Sequence, residues 1–483
     1  MKLKGYAPDL SAVIEGILTN CAAAVPSLRG MEAAPAAASS GLTVLAATCQ
    51  GAAVLTKLDS STRLFAATGT NLYEAQSPNW TVRSGKTYTA SATQRWRYAQ
   101  FGDVSLAVNA NDTLQASASS AFADVSGAPS AGVVETVGQF VFLFDTNDGT
   151  YGISPDRWRC AAIGTHDDWT PAVATQAATG RLTSSPGKIV GAKRFGNAIV
   201  AFKRTSMYLG IYVAPPVVWE FTQIPVEFGA LSQEAIVNVG TDENPKLLWM
   251  GYNDFYAYDG SKPVPIGMPV RETVFGQLLR SRDYLCAAQH DRANGRVYFH
   301  YPSSDSLTPD KCVVYNYKTD QWGVDDRTIE VPVEFITPGV TYDALGDSYS
   351  TYADLPTQSY DLAFLSQSLA VPGVFDTTHA LKTLTGAAGS SSITTGDVGD
   401  DFKVSTLSRV RPRFLTKPTT ANLTNSYRMS EGETLTSDAA VSLASNGFFD
   451  TGRSARWHRM LIEMTGDWEM GELFPELIED GSE

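Results

Sequence analysis

The stretch that decides the fold runs Leu247-Leu-Trp-Met-Gly-Tyr-Asn-Asp-Phe-Tyr-Ala-Tyr-Asp-Gly-Ser261, and a second copy of the same pattern follows it. In the first copy two short apolar and aromatic runs are broken at Asn253-Asp254 and closed at Asp259-Gly260. The second copy opens at Asn294-Gly295, continues as Arg296-Val-Tyr-Phe-His-Tyr301 and Lys311-Cys-Val-Val-Tyr-Asn-Tyr317, and ends at Asp320-Gln-Trp322. Aromatic and β-branched runs separated by Asn-Gly or Asn-Asp read as hairpins, so each copy is expected to be a small antiparallel sheet.

Similar units extend back towards the amino terminus, with central strands beginning near Leu64, Ser105, Phe140, Ala198, Leu247 and Arg296. Their spacing is loose, about 35 to 60 residues, and several units end in a tryptophan: Trp80, Trp169, Trp219 and Trp322. A several-stranded repeat of about 40 to 50 residues is what a propeller blade looks like in sequence. One such sheet has no partner for its own apolar faces, so the copies are expected to stack around an axis with those tryptophans buried between them. The fold class expected is therefore all-β, a β-propeller of about six blades (six to eight). An extended amino-terminal arm is placed outside the ring and a β extension at the carboxyl end. Separate β-sandwich domains are the alternative architecture.

The domains read as an arm over 1–40, blades over 41–325, further β sheets or an appended β domain over 326–450, and closing strands with an acidic tail over 451–483. In the arm, Asp9 or Ser11 is placed to cap a short helix over residues 12–18, and the Ala/Ser-rich run 33–40 reads as a linker or an extended segment laid on a neighbour. Within 326–450, Phe364 to Leu384 reads as a hairpin turning at Val371-Pro-Gly-Val374. The last strand pair, around Arg456–Met464 and Trp468, is expected to close the ring against amino-terminal strands.

The 483 residues are 43% hydrophobic and 10% aromatic, enough for a large core, and only 18% charged. Lys+Arg 37 against Asp+Glu 51 gives a net charge of −14, which repels nucleic acid on average. Five scattered cysteines, an odd number with no Cys-x-x-Cys, read as buried thiols in a reducing compartment. The first residues lack the apolar core of a signal peptide, and no apolar run approaches the roughly 20 residues that span a bilayer. Synthesis and assembly in cytoplasm is the expectation.

Catalytic motifs are near misses. Ser84-Gly-Lys-Thr87 ends like a phosphate-binding loop, but the earlier glycine position is Trp80. Asp145-Thr-Asn-Asp-Gly149 resembles a calcium loop with its glycine one place early, and reads better as a hairpin turn. His290, Asp291 and His300 are close enough in sequence to suggest a metal, yet the intervening Asn-Gly turn favours hairpin positions. No catalytic, cofactor-binding or metal-binding residue is assigned, and no enzyme activity is expected. Basic clusters stand out in an acidic chain: Arg409, Arg411 and Arg413 alternate along one strand face, and Arg453, Arg456 and Arg459 follow. These six form the candidate interface, offered to a partner surface or to phosphate.

Four stretches together resemble the tail hub, nozzle or packaged-DNA stabilisation proteins of short-tailed bacteriophages (podoviruses). They are Asn20-Cys-Ala-Ala-Ala-Val-Pro-Ser-Leu-Arg-Gly-Met31, Leu64-Phe-Ala-Ala-Thr-Gly-Thr-Asn-Leu-Tyr73 with Trp80, Phe255-Tyr-Ala-Tyr-Asp-Gly-Ser-Lys-Pro-Val-Pro-Ile-Gly267, and Arg456-Trp-His-Arg459. The resemblance implies a propeller and a homo-oligomeric ring, a hexamer, below the portal and adaptor (the head-tail connector proteins) of the virion tail. It implies a passage through which genomic DNA is retained and ejected without tight binding. Tail fibres or tailspikes are further expected neighbours, and neither cofactor nor active site is carried over. The chain is much shorter than the larger nozzle proteins. A propeller that binds or cleaves glycans is the alternative function.

Overall fold

A computed structural model describes residues 1–336, 370–430 and 432–481. The fold is nearly all β, with one short helix (Arg271–Gln277) and a 3-10 turn (Arg280–Leu285) among the described residues. Six separate four-stranded antiparallel sheets and a seventh four-strand unit surround one axis. In chain order the units cover 51–82 (blade 1), 97–124 (blade 2), 130–181 (blade 3), 189–224 (blade 4), 236–265 (blade 5), 287–324 (blade 6) and 329–335 with 371–386 (blade 7). The first strand of each blade is innermost and packs on the first strand of the next, and blade 7 returns to blade 1.

The six strands that the sequence marked are the second strands of blades 1 to 6, Thr62–Ala67 through Arg296–Tyr301. They stand out because both of their faces are apolar: each meets the preceding blade on one side and the following blade on the other. Each gap between blades has its own cluster. Phe142, Trp158 and Trp219 fill the gap between blades 3 and 4, and Phe202, Trp249 and Tyr258 the gap between blades 4 and 5. Leu64, Val333 and Phe375 join blade 7 to blade 1.

The arm is not outside this ring. Ala36–Ser39 pairs with Leu381–Gly386 as the outermost strand of blade 7, so an amino-terminal strand closes the circle instead of the carboxyl-terminal ones. Ala24–Pro26 pairs with the outer strand of blade 6 through Ala24 and Val324, and Gly323 permits that approach, since a Cβ there would lie 2.6 Å from the Ala24 carbonyl oxygen. Residues 8–16 form turns rather than a helix. The Asp9 carboxylate instead accepts bonds from the Glu272 N–H (2.6 Å) and the Thr273 N–H and hydroxyl, capping the distant helix Arg271–Gln277, which has no cap from its own sequence.

Blade 6 continues outward into a nine-stranded sheet through Ala24–Pro26, Met31–Ala33, Glu469–Gly481, Val404–Thr416 and Phe449–Ala455. Those five strands face a seven-stranded sheet built on Leu18–Ala22, Ser390–Thr395, Trp457–Thr465 and Thr420–Arg428, forming a β-sandwich packed on Leu407, Leu423, Phe449, Met460, Ile462 and Trp468. The last two strands are not a paired hairpin, because they lie in opposite sheets. The division expected near 326 falls elsewhere: blade 7 reaches 386 and the sandwich takes 390–481 together with strands from 18–33. Val371–Asp376 is a strand, and the turn expected there lies at 377–379; Phe364 is outside the described residues.

Trp169, Trp219 and Trp322 are buried, at 3%, 3% and 1% exposure. Trp80 is only half-buried, because blade 1's outer strand is an edge; its indole N–H reaches the Thr43 carbonyl (2.9 Å) and its ring meets Phe375.

Candidate functional site

Inner strands of blades 1, 2, 4, 5, 6 and 7 enclose an axial cavity of about 410 Å³. Just ahead of the inner strand Arg97–Phe101, Trp96 packs between blades, where its indole N–H donates to the Thr68 carbonyl (3.0 Å), and Arg95 and Arg97 line the axial cavity. Arg97 from blade 2 grips Glu234, which leads into blade 5, with two bonds (2.7 and 3.0 Å), and also donates to the Gly132 carbonyl. Burial alone would push the Glu234 carboxyl up, but Arg97's charge and hydrogen bonds outweigh it and hold the group below the ordinary range. Both Glu234 oxygens are thereby engaged.

A second set of charges lines the cavity around Lys193 and Arg292. Lys193 lies 3.9 Å from Glu135 on blade 3, and Arg292 lies 3.8 Å from Glu334 on blade 7. Burial pushes the Glu135 and Glu334 carboxyls up, with Lys193 and Arg292 respectively offsetting part of the effect. Glu330 is held by the His379 ring (2.6 Å) and the Cys49 N–H (2.8 Å). Half-buried Arg95 makes no ion pair or hydrogen bond among the described residues, and burial pushes its pKa down.

The sequence reading missed these axial groups. Their signal is a charge or charge pair shortly before the apolar second strands of blades 2, 3, 4 and 6, at Arg95-x-Arg97, Glu135, Lys193 and Arg292.

The six candidate interface arginines are not brought together. Arg409, Arg411 and Arg413 do share the outer face of one sandwich sheet: Arg409 pairs with Glu476, Arg409 and Arg411 stack on Phe448 (4.7 and 5.0 Å), and Arg413 stacks on Phe474 (5.3 Å). Arg453 instead pairs with Asp438 and stacks on Tyr427. Arg459 is on the opposite sheet, where it and Arg428 hold the buried Asp397 (2.8 and 2.7 Å). Arg456 leads into that same strand.

The near-miss motifs are structural. Lys86 pairs with Asp124 and Asp112, and the Asp148 carboxylate accepts from the Thr150 and Tyr151 N–H groups and Arg159, fixing a hairpin turn. His290 contacts the Tyr317 hydroxyl (3.0 Å), Asp291 binds Asn294, and His300 lies buried on the adjacent strand. All five cysteines are buried and unbridged. Among the described residues no three His, Cys, Asp or Glu side chains gather as metal ligands, and no helix is long and apolar enough to cross a membrane.

Fold and axis together define a β-propeller joined edge to edge with a β-sandwich. No protein-family model and no curated protein matches the chain. Among solved structures it is similar to YCF48 bound to a D1 peptide, at 10% identity over 74% of this chain and 97% of that one, with a TM-score of 0.37. So slight a likeness carries no function across.

Proposed function

We propose that this chain is a structural component of a short-tailed phage tail, a ring-forming hub or nozzle subunit below the portal and adaptor that forms and gates the channel for genome retention and ejection. The observation that supports it most is the use made of residues 20–31, one of the stretches that carry the resemblance. They supply a strand to the sandwich, a strand to the extension of blade 6 and the turn between, so two lobes share one continuous sheet instead of a linker. A subunit built this way transmits a push at one lobe to the other, as a ring that opens on receptor contact requires.

The propeller axis is not the genome's route: about 410 Å³ equals roughly 14 water molecules, and paired charges cross it. The DNA passage lies between subunits, lined by a chain of net charge −14 that leaves phosphates free to slide. The exposed Arg409, Arg411 and Arg413 face a neighbouring subunit or the adaptor. Negative-stain imaging of the purified protein and of virions carrying a tagged copy tests this. A six-membered ring at the tail is expected; a protein absent from tails, or a ring that binds duplex DNA tightly with a steep salt dependence, overturns it.

A further inference from the structure

We infer that the axial cavity is a binding site for a small oxyanion, a phosphate or carboxylate group, received by the Arg95 guanidinium. Around this cavity Arg97 has Glu234, Lys193 has Glu135 and Arg292 has Glu334. Arg95 is the exception among these charges. Glu234 is its neighbour, but the Arg97 fork already occupies both Glu234 oxygens, so the group of Arg95, Arg97 and Glu234 carries one surplus positive charge.

The half-buried Arg95 guanidinium meets no acceptor of the described chain, and a planar fork of N–H donors matches phosphate and carboxylate oxygens bidentately. The backbone beneath Arg95 is already fixed: the Trp96 N–H donates to the Gln50 carbonyl (2.9 Å), its indole is anchored on Thr68, and its ring is edge-on to Tyr88 at 4.9 Å. The Arg95 backbone is therefore fixed at the cavity wall before any ligand arrives, which limits the ordering on binding to its side chain. Tyr284 belongs to the same wall. A cavity of about 410 Å³ is within the size range of small-molecule sites. The site is independent of the tail assignment.

The test is titration calorimetry of the full chain at roughly 0.15 M salt with inorganic phosphate and, separately, succinate, which distinguishes a phosphate from a carboxylate ligand. One anion per chain is expected, with affinity falling roughly tenfold or more in Arg95→Gln and unchanged in Arg413→Gln, a cation outside the cavity. A measurement on the native chain covers a variant that misfolds: phenylglyoxal labelling of Arg95, mapped by peptide mass spectrometry, is expected to be suppressed by the bound anion. Three results overturn the site: no binding of either anion below roughly 10 mM, equal binding by a folded Arg95→Gln, or Arg95 labelling indifferent to anion.

Discussion

Replacing Trp322 with alanine tests the packing on which the whole arrangement depends. Its ring meets Tyr315 at 4.7 Å, Phe255 at 4.9 Å and Phe299 at 6.2 Å, and it is 1% exposed, within the cluster shared by blades 5 and 6 and the sandwich. Truncation loses the transfer energy of the indole and leaves a hole that neighbours on three elements cannot close together. A cost of about 3 to 5 kcal/mol is expected, towards the upper end because three aromatic contacts vanish. Trp80→Ala is the contrast. Its ring is half-buried on an edge strand and loses one hydrogen bond to Thr43, so about 1 to 2 kcal/mol is expected. Guanidinium titrations of both variants, followed by far-ultraviolet circular dichroism and fluorescence, give the difference where the two probes coincide. A loss below about 1 kcal/mol for Trp322→Ala, or equal losses for the two, would refute this account of the blade interfaces.

Ala38→Pro, opposite Thr383 in the closing strand of blade 7, should lower stability by about 1 to 2 kcal/mol and expose the 36–39 segment to limited proteolysis; an unchanged melting curve would mean that this strand does not close the ring. Reversing Arg411 and Arg413 to glutamate, neither of which forms an ion pair in the described chain, should leave circular dichroism and melting unchanged while blocking incorporation into virions, and normal incorporation would remove them from the interface. Burial lowers the His290 pKa to about 4 and the His300 pKa to about 3, so both stay neutral when folded while the unfolded chain takes up protons near 6.5. Their contribution is complete above about 6.5 and lost as pH falls, by about 2 kcal/mol each at pH 5, and stability curves at pH 7 and pH 5 that coincide in wild type and His300→Leu would contradict it.

The repeated hairpins were legible because a blade is local: its strands follow one another, its turns are tight, and its second strand is apolar on both faces, all of which a sequence records. The seventh blade was hidden. Its first two strands are separated by residues 336–370 and its fourth strand comes from residues 36–39, so no run of consecutive residues spells it out. The same limit governed the last two strands, Trp457–Thr465 and Glu469–Gly481, whose alternation announces strands but not partners; only the three-residue bend at 466–468 in three dimensions sends them into opposite sheets. Along the strand Val404–Thr416, alternation alone placed Arg409, Arg411 and Arg413 on one exposed face, since the side-chain period of a strand is fixed by its backbone. The axial charges were a different matter. Arg95 and Trp96 precede the inner strand Arg97–Phe101, so which of them lines the cavity and which packs between blades is set by contacts with neighbouring blades far away in the chain.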